Sequence, residues 1–432
     1  MDVQDLVGIG FGPSHIGLAV SLQEDYREQI NDKKIVFLEA KEKHGWHHPM
    51  LLPGSRMQIS FMKDLCFLRN PRSRYTFINY LHEHKRLTTF ANLRDFNPSR
   101  REFDDYLRWV ADHFNHLTCY SSRVEAVVPV VGNGEVRCLD LHVRNTHSEE
   151  VRTVRTRNLA VAIGGEPVMP VDSASPHVFH ASCFLEKISK YDNNKAYRFL
   201  VVGAGQSAAE IYQYLIANFI KSDIRVVSSG IGFKQADESE YVNEIFDNKM
   251  VDRVYGLGEA SRRNLLRKHF DTNYSVVDQE IIQSLYRDEY EASVSSEEGR
   301  FGVLKFSRLV ALDESEYGLT AVLESTLEDE VIKQDADVII CATGYSRKNS
   351  IELLKNTRRY WLGQPDRPHL SRNYAIRTLD NFYPGIYVQG MSESTHGLSD
   401  TLLSVIARRA HEVSSEIVKK CVTDPLTPEA EG

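Results

Sequence analysis

The sequence predicts an α/β chain built on two parallel sheets, and three observations carry that prediction. The first is Asp5-Leu-Val-Gly-Ile-Gly-Phe-Gly-Pro-Ser14, an apolar strand that runs into three glycines and then a helix-like run from His15 to about Glu24. The second is the same grammar in Arg198-Phe-Leu-Val-Val-Gly-Ala-Gly-Gln-Ser-Ala-Ala-Glu-Ile-Tyr212, 195 residues later counted from Gly8 to Gly203. The third is a series of short apolar runs bounded by glycine, proline or serine: 34–40, 158–165, 223–229, 336–345 and 385–390. One glycine turn is a weak signal, but two in strand–turn–helix context are the grammar of nucleotide binding. Together they predict two Rossmann-like dinucleotide-binding domains.

In the first turn, Gly8 is expected to permit the tight bend and Gly10 to let the backbone approach a pyrophosphate. Gly12 follows, and the helix N-terminus then presents unpaired N–H groups and its positive dipole end. Pro13 stands where the third glycine of G-x-G-x-x-G would be, a place in the first helical turn that proline tolerates. Lys34–Ala40 reads as the second strand. Glu39 at its end lies 31 residues past Gly8 and suits a ribose hydroxyl. From Lys41 to Asn79 periodicity stops, as in irregular insertions that line active sites. Lys63 lies there among Phe61, Met62 and Leu65, where a lysine either snorkels to water or meets an anion.

Residues 101–111 pattern as an amphipathic helix. Strands are expected around 124–131 and 136–143, joined at Gly132-Asn133-Gly134. Pro167 and Pro170 mark a domain crossing. In the second nucleotide domain Gly203 and Gly205 hold the first two fingerprint positions and Ala208 the third. The strand 223–229 ends in serines, not an acid, which leaves room for a 2′-phosphate; Arg225 and Lys234 are the nearest cations. Two stretches, 240–246 and 272–277, each hold an asparagine, and a buried Asn usually serves the local backbone. The stretch 394–404 is a loop entering a helix, with small residues where a flavin could lie close. The tail beyond Asp424 reads as disordered. Two nucleotide sites in one chain point to a flavoprotein fed by a nicotinamide.

The 432 residues, 42% hydrophobic and 26% charged, suit a soluble globular protein of two or three domains. A net charge of −8 gives no reason to expect nucleic acid. No secretory signal and no run of about 18 apolar residues is evident, so the expected location is cytoplasmic, with no membrane span. Six scattered cysteines form no CxxC pair and read as reduced thiols. The histidines lack metal-site spacing, so no metal is expected.

These marks, in this order, resemble the flavin-dependent N-hydroxylating monooxygenases of siderophore biosynthesis, in particular the L-ornithine N5-monooxygenase branch. The resemblance rests on Gly8–Ser14, Trp46-His47, Met57–Asp64, 68–71, Gly203–Ala208, 242–246, 272–277, 342–345 and 395–404, and covers nearly the whole chain. The disulfide-reductase group shares the paired turns but requires a redox cysteine pair that is absent here.

The resemblance implies an FAD domain in two parts, 1–165 and 336–424, an NADPH domain with the substrate region at 166–335, and a tail at 425–432. It implies FAD contacts at Gly8, Gly10, Gly12, Pro13, Glu39, Trp46, His47, Gln58, Val124, His396, Gly397 and Leu398. NADPH would meet Gly203, Ala204, Gly205, Gln206 and Ser207. The arginine that commonly holds the NADPH phosphate in this family is Ser229 here, leaving Arg225 or Lys234 as substitutes. Lys63 would bind the substrate carboxylate, Asn243 and Asn273 its backbone-like end, and Ser399 would lie near the amine. The implied activity is hydroxylation of the ornithine side-chain amine with O2 through a hydroperoxyflavin, supplying a hydroxamate precursor for iron acquisition. The family often forms homo-tetramers. Two alternatives stay open: a carboxylate-free amine such as histamine, putrescine or cadaverine, suggested by Ser229 and the acidic Glu238-Ser-Glu240, or a flavin oxidoreductase or redox-partner flavoprotein that does not hydroxylate.

Overall fold

The computed structural model describes residues 2–237, 239–295, 299–315 and 318–423. Glu238 and the tail 425–432 lie outside the described residues.

Two five-stranded parallel sheets organise the chain. The first has the order Gly385–Val388, Asn158–Val161, Leu6–Ile9, Ile35–Leu38, Thr118–Cys119. Its three central strands are apolar in sequence because both faces are covered. One face meets the helices Pro13–Asp25, Arg100–Asp112 and Ile406–Thr423. His15 through Leu22 are all buried, and each fully buried Leu, Ile or Val contributes about 1.5–3 kcal/mol. The other face meets an antiparallel meander of Ser122–Gly132, Glu135–Asn145 and Val151–Thr156. Its first hairpin turns on Asn133 and Gly134, both at positive φ, as a two-residue type I′ turn requires.

The second unit repeats the plan. Its order is Val178–His180, Val338–Cys341, Arg198–Val202, Asp223–Val227, Phe301–Leu304, all parallel. The helix Gln206–Asn218 covers one face, and the meander Ser307–Ser315, Gly318–Ser325, Val331–Ala336 covers the other.

The expected boundary at 335/336 is therefore misplaced. Val338–Cys341 lies between Val178–His180 and Arg198–Val202 at the centre of the second sheet. The chain crosses between units at Glu166–Pro167 and Tyr345–Ser346, which pair with each other as a short antiparallel ladder. Among the described residues no helix is long and apolar enough to cross a membrane, no group of three or more His, Cys, Asp or Glu could hold a metal, and no disulfide joins any of the six cysteines.

Candidate active site

Both glycine turns close the carboxyl end of their sheet. Gly10 has φ +84°, and a Cβ there would lie 2.6 Å from the Ala162 carbonyl oxygen. Gly203 has φ +127°, and a Cβ there would collide with the Ala342 carbonyl. Gly12 and Gly205 are the N-caps of the helices that follow, and their backbones are extended alike. The equivalent pairs are thus Gly10/Gly203 and Gly12/Gly205, a repeat of 193 residues. This corrects the expected register. Gly8 lies inside the strand, not in the turn, and Pro13 does not occupy the third fingerprint position. His15 does, where the second turn has Ala208. The bulk of His15 is accommodated from the strand side, since a Cβ on Gly8 would sit 3.2 Å from His15 Nδ1 and would clash with the Phe37 ring. His15 Nδ1 donates to the Gly10 carbonyl at 2.6 Å, and burial lowers its pKa to about 4.

Nothing lies within 4 Å of a Cβ on Gly12, so the helix N-terminus opens onto free space. Glu39 follows the strand Ile35–Leu38. Its Oε2 accepts from Phe11 N–H at 2.7 Å and its Oε1 from Lys41 N–H at 2.9 Å, so it shapes the turn and keeps lone pairs for a ribose. Trp46 is fixed by its N–H to Asp104 at 2.8 Å, and His47 faces Trp46 and Tyr345 at the unit crossing. Val124 stands on a strand whose first residue donates to the Glu39 carbonyl at 2.8 Å.

The loop 392–401 is pinned by a buried ion pair. Asp400 accepts from Ser392 N–H and Oγ, each at 2.6 Å, and from Arg409 at 3.1 Å, while Arg409 also donates to Ser14 Oγ at 2.9 Å. His396 is turned into the protein. It stacks on Tyr374 at 4.1 Å, lies 3.1 Å from the Arg372 carbonyl, and burial lowers its pKa to about 4. Of the expected flavin-contacting trio, the His396 side chain is therefore packing, and Gly397 and Leu398 form the loop. Around this end of the first sheet, His44 Nε2, both amide atoms of Gln389, Ser399 Oγ and Ser404 Oγ are buried with no hydrogen-bond partner. Unpaired buried polar atoms are rare and cost about 1–3 kcal/mol each. Such a group beside an open helix N-terminus fits a large polar ligand.

The segments that carry the expected substrate residues pack against neighbouring parts of 392–405. The turn Phe61–Lys63 touches 403–405, and Glu244–Phe246, directly after Asn243, touches Leu398–Thr401. Next to Asn273, Tyr274 donates to Glu393 and lies 3.2 Å from Thr401 Oγ1. Lys63 is half-buried, and among the described residues its ammonium makes no hydrogen bond or ion pair. Neighbouring Asp64 does not neutralise it. Asp64 accepts the N–H groups of Cys66, Phe67 and Phe77 at 2.6–2.9 Å, and burial pushes its pKa up to about 6.

On the second turn, Gly203, Ala204, Gly205 and Ser207 offer backbone at the helix start. The Gln206 side chain does not join them. It bonds Glu210 and Asp278, each at 2.8 Å, and accepts from Asp278 N–H at 3.0 Å. Gln58, expected at the flavin, donates instead to Asp278 at 2.8 Å. Arg225 points its guanidinium at the carbonyls of Gly299 and Ile224, away from the carboxyl end of the sheet where a phosphate would lie. Lys234 pairs with Asp271 on the surface, an exchangeable contact. Exposed Ser229 brings no charge to the strand end.

Comparison with known proteins decides the family. The model for L-lysine 6-monooxygenase/L-ornithine 5-monooxygenase matches residues 2–347. The chain belongs to that family. It is 39% identical to the L-ornithine N(5)-monooxygenase of Pseudomonas aeruginosa over 96% of this chain and 94% of that one. Its fold matches the ornithine hydroxylase PvdA of P. aeruginosa with a TM-score of 0.91 and 37% identity, covering 97% and 100% of the two chains. It also matches the ornithine N-hydroxylase of Kutzneria sp. 744, solved with reduced FAD, NADP+ and L-ornithine, with a TM-score of 0.90, 36% identity and the same coverage.

Within this family fold, sequence reasoning passed over Tyr274, Glu393, Arg347 and the Arg409–Asp400 pair. Glu393 is a carboxylate beside the substrate segments whose pKa burial raises, and Arg347 packs its guanidinium over Gly390. Tyr274 and Asp400 lie inside the stretches 272–277 and 395–404, and Glu393 lies two residues before the latter, whereas Arg347 and Arg409 carried no signal.

The turn register predicts opposite effects for two substitutions. Gly8→Val should overpack the strand, costing about 1–3 kcal/mol, and lower the melting temperature of the flavin-free protein. Gly12→Val should leave that temperature unchanged and weaken FAD binding at least tenfold. Unaltered FAD affinity in Gly12→Val would contradict the register. His15 gives a pH test. Its folded pKa lies below the unfolded 6.5, so its stabilising share is full above pH 6.5 and is lost as pH falls toward 4. The melting-temperature gap between wild type and His15→Asn should narrow over that window; a constant gap would show that His15 does not titrate on unfolding.

Proposed function

We propose that this chain hydroxylates the side-chain amine of L-ornithine, using FAD, NADPH and O2, and so supplies a hydroxamate precursor for siderophore assembly. In this reading the first sheet, with the C-terminal helix, holds FAD, and the second holds NADPH. The observation that carries the substrate assignment is the half-buried Lys63 ammonium, without a partner among the described residues, on a turn that touches 403–405 beside the 392–401 loop met by the Asn243 and Asn273 segments.

Bound flavin would accept a hydride from NADPH and activate O2 for transfer of one oxygen atom to the amine. The chain's task is to bind, orient and exclude water. Lys63 anchors the substrate carboxylate, and Asn243 and Asn273 supply amides for the remaining polar groups at that end. The far amine then lies at the 397–399 loop, with Ser399 Oγ as its neighbour. An alkyl amine with a pKa of about 10 must lose its proton to attack, and a dry pocket favours the neutral form. Glu393, hydrogen-bonded to Tyr274, is a carboxylate beside this loop able to hold that proton. The same carboxylate gives one reason to retain a diamine as second reading, since it could pair with a second ammonium. Six cysteines outside any disulfide suit a reducing, cytoplasmic compartment, and a homo-tetramer is part of this reading on family grounds.

Hydroxylamine formation from ornithine, lysine, putrescine, cadaverine and histamine tests the substrate. Wild type should favour ornithine. Lys63→Ala removes a charge-assisted hydrogen bond worth about 1.5–3 kcal/mol, so the ornithine KM should rise on the order of 10- to 150-fold with FAD content intact. Turnover of a carboxylate-free amine above ornithine would overturn the substrate, and NADPH oxidation without hydroxylamine from any amine would overturn the reaction. With Ser229 at the strand end, NADPH should be only modestly preferred over NADH. Ser229→Arg should raise that preference by on the order of tenfold or more, measured as the ratio of kcat/KM values. No change would assign the phosphate to another cation, with Lys234 the first to test.

A further inference from the structure

A hydrogen-bonded bridge joins the two units behind the second glycine turn. Arg100 starts the helix Arg100–Asp112 beside the first sheet. It grips Glu210, on the helix behind the second turn, with both arms: Nη1–Oε2 is 2.6 Å and Nη2–Oε1 is 2.7 Å. The two side chains are 14% and 5% exposed. One helical turn earlier, Gln206 donates from Nε2 to both Glu210 and Asp278, and its Oε1 accepts the Asp278 N–H, so its amide has one possible orientation. Asp278 stands at the N-cap position of the helix Gln279–Ser293, its side chain turned to Gln206 and Gln58 and not to the helix backbone, and follows Asn273 by five residues. Its other oxygen takes Gln58, five residues before Lys63. The bridge therefore fixes the first turn of Gln206–Asn218 against both segments that present the substrate residues.

We propose that this bridge sets the placement of the nicotinamide relative to the flavin, with Arg100 and Asp278 as positioning residues for hydride transfer. The proposal rests on the NADPH and FAD reading given above. Hydride transfer needs reacting atoms about 3–3.5 Å apart, and a misplacement of about 1 Å can cost about 10²-fold. A bidentate Arg100–Glu210 pair, largely buried and locked to Gln206 and Asp278, is stiff enough to matter on that scale.

The test uses Arg100→Met, Asp278→Asn and the double variant Arg100→Met/Glu210→Met, which leaves no unpaired buried carboxylate and so spares stability. Flavin reduction at saturating NADPH should slow at least tenfold in all three, while NADPH Kd changes less than threefold and dithionite reduces every variant normally. In protein free of both cofactors, hydrogen exchange of 206–210 and 273–278 should accelerate. Reduction within twofold of wild type, a loss confined to Kd, or a lowered melting temperature with unchanged rate and exchange would each overturn the proposal. If NADPH fails to reduce the wild-type flavin, the cofactor reading falls and with it the proposed role, whereas normal wild-type reduction with unaffected variants removes the bridge alone.

Discussion

The structure depends on one backbone constraint made twice. At Gly10 and at Gly203 the chain must leave a central strand, pass against the carbonyl of a neighbouring strand's end, and enter a helix with its first N–H groups uncovered. A side chain at either position would collide with Ala162 or Ala342. That close approach leaves the space in front of each helix open, and everything else is arranged around the two openings. The first is walled by Glu39, the 44–47 loop and the 392–401 loop. The second is held in place by Gln206, Glu210 and Asp278.

Local grammar was legible in the sequence, and register was not. The first turn alternates glycine at 8, 10 and 12, so two fingerprint registers fit equally well. Only the positions of Phe37, His15 and Ala162 around the backbone separate them. The same limit explains the misplaced boundary. Val338–Cys341 and Gly385–Val388 are both short and wholly buried, and nothing local says which sheet each completes. Arg225 points away from the strand end, a side-chain direction that nearness in sequence does not give.

The site residues divide in the same way. Lys63, Asn243, Asn273 and Ser399 are up to 336 residues apart, and no pattern within the chain joins them; the family resemblance named them and the fold brings their segments together around 392–405. The groups that hold that loop, Arg409, Asp400 and Glu393, were missed because buried ion pairs and hydrogen bonds are set by tertiary packing. Gln58 and Gln206 were assigned to cofactors, and the structure gives their amides to Asp278 instead, 220 and 72 residues away in sequence.

The central claim is that NADPH oxidation in this chain is coupled to oxygen transfer onto an amino-acid amine. Turnover of L-ornithine under 18O2, with product mass and NADPH consumption measured together, tests it most directly. The account predicts one labelled oxygen in N5-hydroxyornithine for about each NADPH consumed. NADPH consumption that yields hydrogen peroxide and unlabelled ornithine would contradict it.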